Sequence, residues 1–411
     1  MSAPLTPDRA GPEHLAHPDV IADPYPFYDA LRPRSPLPGY IDYPPGTVPG
    51  EDEPVRAWAL LKHADVLAAA KDHRTFSSQD PLQEGSAAPT LMLVNHDEPE
   101  HGKLRKIVSK AFTPKRVREL GPWCDALAAE MLGGLGDREI DVMGEIAADF
   151  PARVMVHLLG LPDADARRFK GWANAFMLSS DLRPEERNRS NQELVAYFVE
   201  KVADRAALAA AGATLPPGLI TALMSAEVDG ETLSADEVIR FCLTLVVAGS
   251  ETTMYFIGNV LVALAEHPMV YARVRADRSV VQRLLDETLR WSGPPQRLFR
   301  IATREIEIGG ARIAAGDWVA LFFAAANYDP AVFPEPRTFL LDRKNSADHL
   351  TYGIGIHYCL GAPLANLELT SLVNGIADRF RSIEPGVQPR RSQTASLLQH
   401  GYTAVPVVLR S

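Results

Sequence analysis

Two short stretches of this sequence hold residue types that call for a chemical explanation. The first is Tyr352-Gly353-Ile354-Gly355-Ile356-His357-Tyr358-Cys359-Leu360-Gly361-Ala362-Pro363-Leu364-Ala365, where a cysteine follows a glycine-rich loop and precedes a helical pattern. A thiol at the positive end of a helix is stabilised as the thiolate. Such a thiolate needs a metal or an electrophile, and heme iron is one metal that takes a single cysteine as its proximal ligand. Other readings stay open at this point. A lone cysteine is most often a small buried hydrophobe, and a cysteine nucleophile served by His357 would have its base only two residues away, which is poor geometry. A zinc site needs about four ligands, yet no second cysteine lies at metal spacing. The glycines do not continue into a dinucleotide fingerprint, because the third would fall on Tyr358. The second stretch is Ala248-Gly249-Ser250-Glu251-Thr252-Thr253, where a glycine, an acid and hydroxyls interrupt an apolar run at a cost in helix propensity and polar burial. The bland reading is a kink or a tolerated polar cluster, but an acid-hydroxyl pair buried in an apolar helix otherwise lacks a motive.

The elements that must position these residues are mostly helical. Apolar residues recur at helical spacing over 55–70, 122–135, 146–159, 191–211, 235–266, 280–291 and 362–380. Strand-like alternation is confined to 299–308, closed by Gly309-Gly310, then 318–323 and 402–409. The expectation is a mainly α fold with a small β portion, without the regular βαβ alternation of a doubly wound nucleotide fold. The second stretch lies in the middle of the helix that Ser234 opens with a capping box to Glu237 and that stops before Pro268. At 1.5 Å per residue it spans roughly 48 Å, and its all-round apolarity predicts an axis through the interior.

Bulk properties set limits. The chain has 411 residues, 46% of them hydrophobic, with no linker, repeat or low-complexity block, which predicts one large domain over 1–411. Three cysteines, Cys124, Cys242 and Cys359, do not make a disulfide framework and fit a reducing compartment. The polar, proline-containing start lacks the order of a secretory signal, so a cytoplasmic, soluble protein is expected. A formal net charge of −10 argues against general affinity for nucleic acid or anionic membrane.

The segment from Tyr352 to Ala365 resembles the heme-binding loop of the cytochrome P450 family, with Tyr352 standing where that loop usually starts with phenylalanine. The resemblance extends through Glu287-Thr288-Leu289-Arg290, which looks like the family's Glu-x-x-Arg helix, and through Ala248-Gly249-x-Glu251-Thr252, which looks like its oxygen-activating stretch. What the resemblance implies is a cytochrome P450 fold, a single heme domain, and a soluble bacterial-type heme-thiolate monooxygenase. Its cofactor would be heme b (iron protoporphyrin IX), its co-substrate O2, and its electrons would derive ultimately from NAD(P)H.

By the same resemblance Cys359 ligates the iron, while Tyr352, Gly353 and Gly361 shape the loop around it. His101, Arg105, Arg300 and His357 meet the heme propionates, as buried carboxylates require. Ala248 and Gly249 let heme and O2 approach the helix backbone, Thr252 hydrogen-bonds the oxygen under reduction, and Glu251 relays protons. Glu287 and Arg290 form a structural charged network completed by Arg337 or Arg343. The substrate pocket is expected near Leu93, Val94, Leu178, Val247, Gln296, Leu298 and Leu398, nearly all apolar, with Gln296 available to a polar group and Arg297 either available to it or facing away. A small or medium hydrophobic substrate follows, hydroxylated at C–H or O-dealkylated.

Between His101 and Arg118 lie Lys103, Arg105, Lys106, Lys110, Lys115, Arg116 and Arg118, with no Asp or Glu. In an acidic protein this contrast suggests a docking patch, and what the resemblance implies for it is an acidic ferredoxin or flavodoxin, with its reductase, docking on Lys103, Lys106 and Lys110. With no flavin or iron-sulfur segment after the last strand pattern, an external donor to a monomeric enzyme is expected.

Overall fold

The computed structural model describes residues 4–41, 55–79, 91–176, 183–387, 391–392 and 398–411. The chain folds as two compact units: Met1–Ser86, Gln282–Cys359 and Arg390–Thr403 form the first, and Ala87–Val281, Leu360–Pro389 and Ala404–Ser411 the second.

The first unit is organised by a five-stranded mixed sheet in the order 37–41, 56–60, 318–321, 298–302, 76–77. Alternation along its strands supplies two cores. Ala57, Ala59, Ala320 and Phe322 join one with Tyr28, Leu31 and Tyr40, while Leu60, Val319 and Leu321 join another with Val66, Phe76 and Leu350. Here the helix expected over 55–70 is corrected. Its first half is the strand Arg56–Leu60, paired with Leu37–Ile41 and with Trp318–Leu321, and only His63–Lys71 is helical. A short apolar run satisfies either period, and its distant pairing partners decide. Asp329 Oδ2 accepts from the His63 N–H at 2.9 Å and so starts the helix that Lys62 cannot cap. The alternation over 299–308 likewise resolves into Leu298–Ala302 and Ile306–Ile308, the latter turning through Gly309-Gly310 into Ala311–Ile313.

The second unit is built around the helix Ala235–Glu266, with Asp149–Leu159, Ala166–Phe176 and Pro184–Ala210 packed along it. Its boundaries match the sequence expectation. Ser234 Oγ accepts from the Glu237 N–H at 3.2 Å and Glu237 Oε2 accepts from the Ser234 N–H at 2.6 Å. Among the described residues it is the one helix long and apolar enough to cross a membrane, and 72% of its most apolar stretch is buried inside the protein. A three-stranded antiparallel sheet (382–385, 406–410, 139–141) and the helix Ala362–Arg379, packed on Gly121–Leu132, complete the unit.

Candidate active site

Cys359 ends the first unit, in a loop that backbone hydrogen bonds hold tightly. The Cys359 N–H donates to the Tyr352 carbonyl at 2.8 Å, the Gly353 N–H to Leu350, and the Tyr358 N–H to Gly355. Gly353 and Gly355 sit at φ +69° and +71°, the left-handed region that costs a side-chain-bearing residue steric strain, and a Cβ on Gly355 would fall 3.3 Å from the Ala70 carbonyl. Tyr352, in place of the family's usual phenylalanine, lies edge-on to Tyr358 at 6.3 Å and 5.6 Å from the His349 ring. His357 closes a 3-10 turn, with a ring nitrogen 2.8 Å from Ser78 Oγ.

The cysteines divide by environment. None of the three is disulfide-bonded. Cys124 and Cys242 are buried, and burial pushes both thiols up to about 12, so they remain protonated and inert. Cys359 is half-buried and carries the loop geometry just described. A donor set with one accessible cysteine fits a cofactor that asks for a single axial thiolate. Among the described residues no three His, Cys, Asp or Glu side chains gather as a metal-ion site of the zinc type.

Two further groups in the first unit can be placed. Arg300, buried in the strand Leu298–Ala302, donates to the Phe299 carbonyl at 2.7 Å. Glu287 and Arg290, on Val281–Ser292, are completely buried and paired bidentately at 2.8 Å. Arg343 Nε lies 3.1 Å from both Glu287 oxygens, and the Leu340 N–H donates to Glu287 at 2.9 Å. Arg290 also reaches the Pro336 carbonyl at 2.8 Å. Of the two arginines expected as third partner, Arg343 is the one in contact, while Arg337 pairs with Asp29 at 2.7 Å.

Gln296 and Arg297, expected near the pocket, both make polar contacts within the fold. Gln296 is fully buried, accepting from the Tyr28 hydroxyl at 3.1 Å and donating to the Gly293 carbonyl at 3.0 Å. Arg297 is buried with its Nε on the Tyr40 hydroxyl at 3.1 Å and its guanidinium over the Phe299 ring. Both amide ends of Gln296 are therefore engaged within the fold. Leu298 and Leu398 are half-buried, and Leu178 lies outside the described residues.

In the second unit the polar stretch lies on an unbroken helix. Thr252 Oγ1 donates to the Ala248 carbonyl at 2.7 Å, and buried Glu251 accepts from the Tyr255 hydroxyl at 3.2 Å. The sequence reading missed Tyr255, although its i+4 spacing from Glu251 was available. Ala248 is exposed. A Cβ on Gly249 would fall 2.7 Å from the Met155 methyl, so the glycine also admits the neighbouring helix. Val247 and Leu93 are buried and Val94 is exposed.

His101 and Arg105 share the helix Glu100–Ala111, His101 on its buried face with Leu104 and Ile107, Arg105 half-buried. Burial, then the Arg105 charge, holds the His101 imidazole below its ordinary pKa. Of the three lysines, Lys103 lies 3.4 Å from Glu231 and Lys110 donates to the Glu227 carbonyl at 2.6 Å, both on the hairpin 227–232, while Lys106 is exposed between them.

The cytochrome P450 family profile matches residues 169–405. The cyclomarin C epoxidase CymV of Salinispora arenicola is 37% identical over 369 residues, covering 84% of this chain and 91% of that protein. The cytochrome P450 YjiB of Bacillus subtilis is 34% identical over 371 residues, covering 88% of each. Among solved structures, cytochrome P450 CYP109Q5 from Chondromyces apiculatus superposes with a TM-score of 0.82 at 32% identity, over 96% of this chain and 97% of that one. A profile spanning more than half the chain, and relatives matched over most of their length, show that this chain belongs to the cytochrome P450 family and is a P450-type oxidoreductase.

Proposed function

We propose that this protein inserts one oxygen atom from O2 into a small or medium hydrophobic substrate, by C–H hydroxylation or O-dealkylation, with electrons passed by a ferredoxin or flavodoxin and its reductase. The family uses heme b with O2 and NAD(P)H-derived electrons. When bound, heme supplies the reductive activation of O2 and the oxygen transfer itself. Epoxidation, the activity named for the Salinispora relative, belongs to the same class of transfer.

The observation that carries this reading is Cys359, half-buried in its hydrogen-bonded glycine loop while the other two cysteines are sealed as thiols. In the proposal Cys359 is the iron ligand, and Tyr352, Gly353 and Gly361 hold the loop. His101, Arg105, Arg300 and His357 meet the propionates, and Ala248 and Gly249 border the cofactor. The whole of 1–411 acts as one heme domain.

Thr252 holds a hydroxyl that can exchange its Ala248 carbonyl for an oxygen-bearing ligand, and Glu251, backed by the Tyr255 hydroxyl, passes protons toward it. Leu93, Val94, Leu178, Val247, Leu298 and Leu398, with Gln296, are the mostly apolar residues proposed to orient substrate and exclude water. Glu287 and Arg290, with Arg343, serve folding and heme retention. The acidic partner is proposed to dock at Lys103, Lys106 and Lys110. Displacing an exposed ion pair such as Lys103–Glu231 costs it about 0–1 kcal/mol. The protein is proposed to act as a cytoplasmic monomer, and its net charge of −10 supports its binding neither nucleic acid nor anionic membrane.

The test is Cys359→Ser against the unsubstituted chain, each dithionite-reduced under CO. The unsubstituted protein should give the strongly red-shifted Soret band of cysteinate-ligated heme and the variant should lose it. An unchanged band in the variant would refute the ligand assignment.

A further inference from the structure

We propose that Thr244 is a positioning residue that latches the 91–95 turn to the central helix and thereby sets which ligands the pocket accepts. The inference rests on the reading of Leu93 and Val247 as pocket walls. Among the described residues four non-glycines have positive φ, and three of them, Asp137, Asp229 and Glu335, are exposed acids. The fourth is Leu93, at φ +69° and buried. A left-handed leucine crowds its Cβ against the following carbonyl, so this conformation persists only where surrounding contacts over-determine it.

The holding contact is a buried hydrogen bond from the Met92 N–H to Thr244 Oγ1 at 2.8 Å, beside a weaker one across the turn, Asn95 N–H to the Leu91 carbonyl at 3.3 Å. The Thr244 hydroxyl proton is donated to the Arg240 carbonyl at 2.9 Å, which fixes the rotor and aims a lone pair at Met92. One side chain thus joins helix and turn, with Met92 and Thr244 both buried. Val247 follows three residues along the same helix, ahead of the 248–252 stretch. The latch therefore holds Leu93 at a set offset from Val247, and a pocket wall built from both has a fixed width.

Thr244→Val keeps the shape but cannot accept, leaving the Met92 N–H buried without an acceptor; Thr244→Ser keeps the hydroxyl. The experiment uses heme-loaded full chain. Amide exchange over 91–95 is read by mass spectrometry, and 4-phenylimidazole and imidazole are titrated by the Soret shift. Thr244→Val should speed exchange and weaken 4-phenylimidazole about tenfold, with imidazole, which lacks the phenyl ring that tests the wall, unchanged and Thr244→Ser like the unsubstituted protein. Val247→Phe, which leaves the latch intact, should also weaken 4-phenylimidazole. Unchanged exchange in Thr244→Val overturns the latch. Faster exchange with 4-phenylimidazole affinity kept, while Val247→Phe weakens it, overturns the selectivity role alone. If Val247→Phe is also without effect, the pocket reading falls and takes the inference with it.

Discussion

Glu287 in the first unit and Glu368 in the second are both carboxylates sealed from solvent, and the chain treats them in opposite ways. Glu287 receives two guanidinium groups and a backbone N–H, so its charge is matched and its lone pairs are used. Glu368, on the helix Ala362–Arg379, has Oε2 without a hydrogen-bond partner among the described residues, and burial raises its pKa well above the carboxylate range. The first is a charge that ties a helix to the 334–343 segment; the second is held in its protonated form. Glu251, buried beside the neutral Tyr255 hydroxyl, stands between them. What the neighbours offer, and not burial alone, separates a carboxylate that fastens structure from one that can hold or pass a proton.

The contrast breaks most visibly at Arg290. Arg290→Ala leaves Glu287 buried with half its compensation gone, and loss of one partner of a buried pair costs about 3–5 kcal/mol. Glu368→Gln replaces a carboxyl that burial keeps protonated with a neutral amide of equal size, so at pH 7 it should cost no stability and should gain some, because the unfolded chain no longer ionises there. Guanidinium denaturation of both variants checks the pair; equal losses would mean that the two carboxylates are in the same charge state.

The pH dependence should differ in sign. Burial lowers His349 and His400, both in the first unit, to about 4 from an ordinary 6.5. The unfolded chain binds protons there that the fold refuses, so stability is lost as pH falls from about 6.5 to about 4, by about 3 kcal/mol for each histidine. Glu368 works the other way: raised in the fold, its contribution is complete below pH 4.5 and is lost as pH rises through its folded pKa. Denaturation midpoints across pH should show an acid limb that His400→Phe flattens and Glu368→Gln does not. An acid limb untouched by His400→Phe would remove that residue from the account.

How much of this was legible in sequence depended on how local the deciding contact is. The helix Ala235–Glu266 and the turn at Gly309-Gly310 were readable because caps, glycines and periodicity lie within a few residues of what they determine. The strand Arg56–Leu60 was not, since Trp318–Leu321 selects it from far along the chain. The contacts of Gln296 and Arg297 with Tyr28 and Tyr40, more than 250 positions earlier, were out of reach for the same reason. Glu368 left a signal that went unused. Leu364, Glu368, Leu372 and Ile376 form one buried i, i+4 row, and an acid in such a row announces burial without charge. The Cys359 loop could be read as a motif, but the sealing of Cys124 and Cys242 required coordinates.

Glu251 sharpens the comparison on the side of chemistry. If it passes protons, Glu251→Gln should lower product formation about a hundredfold while denaturation and the ferrous–CO band stay unchanged. Thr252→Ala should keep reductant consumption but divert it to peroxide. A Glu251→Gln variant that loses stability as Arg290→Ala does would place Glu251 with Glu287, as a structural charge.

Glu237, only half-buried at the start of the axial helix, is the solvent-reached counterpart of all three, and the smallest effect belongs to it. Its carboxylate accepts from the Ser234 N–H while Ser234 Oγ accepts from the Glu237 N–H, with Ser234 exposed and Glu237 half-buried. A solvated carboxylate needs no cation, so what it contributes is the pairing of two otherwise unpartnered helix-end donors, aided by the positive helix terminus. Ser234→Ala should cost about 1 kcal/mol by denaturation midpoint, and the ferrous–CO spectrum should not change, because fraying is confined to the first turn and Glu251 lies more than four turns further on. A loss comparable to that of Arg290→Ala would mean that the cap fixes the whole axial helix, and the division between exposed and buried carboxylates would have to be redrawn around it.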